Sequence, residues 1–230
     1  MRTLFVLTIS FFVFSLTAQQ KQKQNAPFTI RGTVGIPKTV SSRLFSTAFK
    51  GVVEANLSAN ARIFKNVFAG LGYQNSFFQN NKDIFINQVT AKASVPYDTK
   101  LMLNSVFLKI GYDYFFSDKG YVTCALNAGY SFANYSKILS DTSKANMPFV
   151  GPKFSAPFIQ PEFSINFLTD DEALINFSLM IAYNNLLYQF NPKAPRLCQF
   201  KPMSEFYQQN RNSYWMSWIN IGFGFNVLIK

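Results

Sequence analysis

The sequence predicts an all-β fold: an eight-stranded antiparallel transmembrane β-barrel with short periplasmic turns and four long extracellular loops. Three observations carry this. Segment after segment alternates large apolar residues with small polar ones, the period of a two-faced strand. The polar face is almost free of charge. The connections between segments alternate between short and long.

The last segment shows the alternation best. Ile219, Ile221, Phe223, Phe225, Val227 and Ile229 alternate with Trp218, Asn220, Gly222, Gly224 and Asn226. An earlier segment sets Ile175, Phe177, Leu179, Ile181 and Tyr183 against Asn176, Ser178, Met180, Ala182 and Asn184. A face turned to water carries charge on about a quarter or more of its residues. Here the polar faces hold only Arg31, Glu54, Arg62, Lys109, Asp113 and Glu162. That disfavours a soluble lipocalin-like barrel and points the polar face inward, with hydrocarbon outside.

In chain order, residues 1–18 read as a secretory signal peptide: Arg2, an apolar stretch from Leu4 to Leu16, and a small-residue exit at Thr17-Ala18. The apolar stretch is shorter than the roughly 20 residues a membrane-spanning helix needs. Residues 19–26 form a short periplasmic segment, and the barrel occupies 27–230. Strands are expected near 28–36, 49–63, 67–73, 101–115, 121–132, 158–168, 175–190 and 214–230.

Tight turns fall at Phe64 to Asn66, at Ser117-Asp118-Lys119-Gly120 and at Thr169-Asp170-Asp171-Glu172. Long loops span 37–48, 75–100, 136–157 and 191–213, which places both termini in the periplasm. Pro157 and Pro161 give no ladder hydrogen bond, so a bulge or a strand start at Glu162 is expected there. Phe77, Phe78, Tyr114, Phe115, Phe116, Tyr188, Phe190, Tyr214 and Trp215 lie where strands meet loops, as interfacial girdles do.

The six charges of the polar faces comprise three cations and three anions. A barrel of about eight strands is filled by its own side chains, and buried charges must pair. Depth counted from the turns matches Arg31 with Asp113 and Lys109 with Glu162, an ion network that plugs the lumen; its rival is a gate in which partners switch. The net charge of +11 lies mostly in the long connections, among them Lys38, Lys50, Lys100, Lys193, Arg196, Lys201 and Arg211. These cations are dispersed and follow no nucleic-acid motif. They suit the phosphates of lipopolysaccharide or, more specifically, an acidic partner docking on Lys193, Arg196, Lys201 and Arg211.

Cys124 on a strand and Cys198 in an outer loop lie too far apart to bridge, and the chain has no His. No cofactor or metal site is expected; the acidic turn Asp170, Asp171 and Glu172 matches no calcium-loop spacing.

The strand count, the loop alternation, the internal charges and the strand-like end from Trp218 to Phe225 resemble the small eight-stranded outer-membrane barrels, the OmpA-, OmpX- and OmpW-like group. The signal ending Thr-Ala-Gln-Gln and the Asn-, Lys- and Phe-rich composition look like proteins of Bacteroidota. The chain ends in Lys230 rather than an aromatic residue, so the resemblance implies an insertion signal carried by Phe223 and Phe225.

Barrel enzymes of this size use a histidine as proton carrier, and its absence removes those mechanisms. The expectation is a non-catalytic barrel that displays loops or serves as a small subunit of an outer-membrane assembly such as secretion or envelope machinery. The alternatives are a narrow solute pore and envelope stabilisation through lipopolysaccharide.

Overall fold

The computed structural model describes residues 27–41, 43–81, 100–117, 119–135, 153–168, 174–190 and 215–229. The signal peptide, the segment 19–26, the turn at 169–172, Cys198, Tyr214 and the loop cations Lys193, Arg196, Lys201 and Arg211 lie outside them.

Eight strands close into one antiparallel barrel in sequence order. They are β1 (Phe28–Ser41), β2 (Phe49–Phe64), β3 (Val67–Asn80), β4 (Lys100–Ser117), β5 (Gly120–Tyr135), β6 (Phe154–Leu168), β7 (Ile175–Gln189) and β8 (Trp215–Ile229). Among the described residues one helix, α1 (Arg43–Ala48), joins β1 to β2. Closure comes from the β1–β8 ladder, which runs from Phe28↔Ile229 to Ser41↔Ser217. No sheet edge is left, so backbone polar groups pair around the ring. Pro27 and Ile229 sit at the same end as the short turns. The turn between β2 and β3 is Lys65-Asn66, with Lys65 at φ 40°.

Several strands run further than the alternation alone indicated. Lys38, Lys50 and Lys100, expected in loops, are strand residues, and the first long loop is the end of β1 followed by α1. β6 begins at Phe154 and passes through both prolines without a bulge. Its ladder to β7 omits Gln160 and Pro161 and resumes in the same register, from Ile159↔Asn185 to Glu162↔Ala182. The donor Pro161 lacks therefore costs a local lapse in one ladder rather than a shift of register.

The expected facing is observed along most of the barrel. Ile221 is 62% exposed and Phe223 68%, while Asn220 and Asn226 are 1% and 2%. Toward the loop end the polarity inverts. Leu44, Phe45, Ala48, Phe49, Phe78, Leu101, Leu103, Tyr135, Leu186, Phe190, Met216 and Trp218 form an apolar core inside the ring. On the outside at that end Lys38, Lys50, Asn75, Gln79, Lys100, Asn104 and Asn134 are interleaved with exposed Val40, Val52, Met102 and Trp215.

Phe78 and Phe190, expected in the outer girdle, point inward: Phe45 meets them at centroid distances of 5.3 and 5.8 Å. Tyr114, Phe116 and Trp215 are exposed as expected, and Tyr188 stacks on Phe154 at 3.9 Å. The strands have 14 to 18 residues, whereas about 9–11 suffice to cross a bilayer. The surplus forms this inverted collar.

Candidate functional site: the lumen

The interior is built in tiers by the alternation of each strand. All six expected interior charges are there, but their pairing differs from the expectation in one respect. Lys109 of β4 reaches both carboxylate oxygens of Glu162 on β6, at 2.9 Å to Oε1 and 2.8 Å to Oε2. Arg31, expected opposite Asp113, also turns to Glu162, at 3.2 Å, and donates to Ser164. Asp113 pairs instead with Arg62, at 3.3 Å, and accepts from Thr123 at 2.7 Å.

Depth counted along each strand misled because closing a barrel requires strand stagger, which shifts neighbouring strands in height. Asn127 completes the central cluster, donating to Glu162 at 3.1 Å and to Gln160 at 2.7 Å. Two cations on one carboxylate hold β1, β4 and β6 together across the lumen.

Glu54 has a different environment. Among the described residues no cation lies within ion-pair distance of it. Its carboxylate accepts from Ser76 at 2.7 Å, Trp218 Nε1 at 2.6 Å, Asn220 at 2.8 Å and Asn184 at 3.5 Å. Gln74 donates to both Ser76 and Asn184, which locks two of those partners. Hydrogen bonds replace the counter-ion that a buried carboxylate otherwise needs. Trp218 then stacks edge-on against Phe78 at 5.3 Å, so the Glu54 cluster is the floor on which the apolar collar core stands.

Phe107 fills the middle of the lumen. It packs against Phe158 and lies over Gly72, where a methyl group would collide with its ring.

At the turn end a cavity of about 30 Å³ is lined by Arg31, Asn60, Arg62, Asp113, Tyr121, Thr123 and Asn226, among others. That is room for about two waters. Of its lining, Arg31 Nε and Asn60 Oδ1 have no protein partner, which suits a hydrated wall. Charged and amide side chains therefore occupy the lower lumen, and an apolar core closes the upper one.

The partners of Glu54 and the helix plug escaped the sequence reading. Each residue was visible in the alternation, but the convergence of β2, β3, β7 and β8 on one carboxylate was not. Cys124 is a strand residue on the outer face and is a free thiol. No three metal-ligating side chains cluster among the described residues.

No protein-family model and no curated protein matches the sequence. Solved structures do. The Neisserial surface protein A (NspA) matches with a TM-score of 0.50 at 13% identity, covering 88% of this chain and 97% of that one. Ail, the attachment invasion locus protein of Yersinia pestis, solved in complex with the heparin analogue sucrose octasulfate, matches with a TM-score of 0.43 at 11% identity, covering 86% and 97%. The fold is that of the small eight-stranded outer-membrane barrels.

Proposed function

We propose that the chain is an integral outer-membrane barrel with no catalytic role, which displays its loops as a binding surface or serves as a small subunit of an outer-membrane assembly. The observation that carries this is the exposed apolar belt around a closed ring. Leu71 and Leu108 are each 65% exposed, and Leu57, Ile110, Phe177 and Leu179 stand out beside them. In water such a belt is unstable, and in hydrocarbon it is matched. The fold shared with a neisserial surface protein supports the same location.

In this reading the short turns and both chain ends face the periplasm and the longer connections face outward, as in bacterial barrels generally. Bacteroidota-type envelope proteins are the setting the composition suggests. Candidate partners are lipopolysaccharide and other subunits of an envelope machine.

The packed lumen argues against a pore. Planar-bilayer recording on the purified protein is expected to show no steady conductance, and porin-like currents would overturn the closed-barrel reading. Mild-detergent extraction from native membranes followed by identification of what co-purifies separates the two roles: a stoichiometric protein identifies a subunit, and its absence a solitary display barrel.

A further inference from the structure

The central cluster of the lumen holds more positive charge than negative. Arg31 and Lys109 both turn to Glu162, two cations on one carboxylate, and all three side chains are buried. With Lys109 on both oxygens, Arg31 on Oε1 and Asn127 on Oε2, the roughly four acceptor positions of Glu162 are filled. The oxygens of Asp113 are taken by Arg62 and Thr123.

Glu54 stands apart from this cluster. Its neighbour on β1 is Gly35, four residues beyond Arg31 and so about 13 Å along the strand. Its own oxygens are occupied by Ser76, Trp218, Asn184 and Asn220. Among the described residues, one positive charge at the level of Arg31 is therefore left without an acid of its own. Burial makes that costly.

The turn-end cavity lies where this charge can be answered. Arg31 spends its two terminal nitrogens on Glu162 and Ser164, its Nε has no protein partner, and the residue lines the cavity. Thr29, Asn60, Tyr121 and Asn226 bring neutral hydroxyl and amide side chains to the same wall, and its one carboxylate, Asp113, is held by Arg62. Asn60 Nδ2 donates to Ser58 Oγ over a long 3.4 Å, and its Oδ1 is bare. Turned over, that amide presents a donor where Oδ1 stands, while Ser58 Oγ donates to the oxygen.

We propose that the cavity binds a small monovalent anion of halide size, held by the Nε edge of Arg31 and the turned amide of Asn60. The ion supplies the negative charge that the central cluster lacks. Space for about two waters admits a halide and excludes a bulky oxyanion or an organic acid. Above the cavity the ion cluster and Phe107 fill the lumen, so the anion enters and leaves at the turn end and does not pass through. The site goes beyond the outer-membrane reading and does not rest on it; in that reading its mouth faces the periplasm.

The test uses the full-length protein in detergent micelles. Urea unfolding is followed while sodium chloride or bromide replaces sodium gluconate at constant ionic strength. With halide at about ten times its dissociation constant, the unfolding equilibrium constant is expected to be about tenfold lower than in gluconate. Asn60→Asp sets a carboxylate at the site and is expected to cut that difference to less than about twofold. A Lys65→Gln, Lys119→Gln double variant, which removes exposed cations at the turn end, is expected to keep it in full. Crystals grown in bromide are expected to show anomalous scattering within hydrogen-bonding distance of Arg31 Nε.

The same unfolding constant in all three salts overturns the site, and so does a full halide effect in Asn60→Asp. Loss of the effect in the lysine double variant assigns it to exposed charge and overturns the site too. Bromide scattering confined to the surface, with the cavity holding water only, has the same consequence. If heat-modifiable migration on gels shows that Asn60→Asp does not fold, the wild-type titration and the bromide map decide. None of these readouts depends on which membrane holds the barrel, so the location stands or falls by membrane fractionation alone.

Discussion

The lower and upper parts of this barrel use one strand pattern with opposite polarity. Around Lys109 and Glu162 the inside is charged and amide-rich, and the outside is Leu, Ile and Phe. Around Phe45 and Phe78 the inside is apolar, and the outside mixes lysine and amides with exposed Val40, Val52, Met102 and Trp215. The contrast shows that the ring itself is indifferent to which face is greasy; the medium decides. Where hydrocarbon lies outside, the interior must be held by directional bonds, because there is no hydrophobic gain in turning apolar groups inward. In the membrane reading proposed above the upper part stands in water, where an ordinary apolar core returns and packing rather than ion pairing fixes the structure.

That contrast can be broken from either side. The largest effect is expected from Glu162→Ala, which leaves Lys109 and Arg31 buried without their acid; such losses run to about 4 kcal/mol, read by urea unfolding in micelles. A drop below about 1 kcal/mol would show that the lower interior is not organised by this carboxylate. Phe45→Ala is expected to cost about 3 kcal/mol through the cavity it leaves. Its signature is local: amide exchange should speed up at Leu101, Leu103 and Met216 while Lys109 to Asp113 stay protected. Uniform acceleration along the strands would mean that the two parts are one cooperative unit.

The outer faces give the next pair. Phe223→Arg is expected to destabilise the protein in bilayers by about 2–3 kcal/mol, and Gln79→Arg in the collar by close to nothing. Similar costs at both positions would move the hydrocarbon boundary. The smallest effect belongs to Arg62→Gln. The Arg62–Asp113 pair borders the turn-end cavity and is partly solvated, so a loss of at most about 1 kcal/mol is expected in the same unfolding assay. A loss as large as that of Glu162→Ala would show that the turn end is as dry as the centre.

Much of this was legible in the residues. Asn176, Ser178, Asn184, Asn220 and Asn226 fall inside as their alternation requires, because a strand has two faces and a closed ring has one inside. Phe78 and Phe190 were misplaced in the girdle because an aromatic ring at a strand end was taken as a sign of outward facing. Parity along the strand would have corrected it. Leu101 and Leu103 share the parity of Ser105, Lys109 and Asp113, and Phe78 shares that of Gln74 and Ser76. Those residues had to point inward whatever their chemistry.

The ion partners were only half legible. Lys109 and Glu162 meet as expected, but the choice of Arg31 between Asp113 and Glu162 depends on stagger around the ring, which no single strand encodes.

The position of Glu54 has a consequence for the order of assembly. Its four donors arrive from β3, β7 and β8, so the carboxylate on β2 stays incompletely coordinated until the C-terminal strand has come round to meet the first. A nascent chain that lacks the last strand carries a desolvated acid with half its ligands missing and no floor beneath the aromatic stopper. Losing the last strand would therefore be felt two strands away, at the Glu54 carboxylate on β2, and not merely at the broken seam.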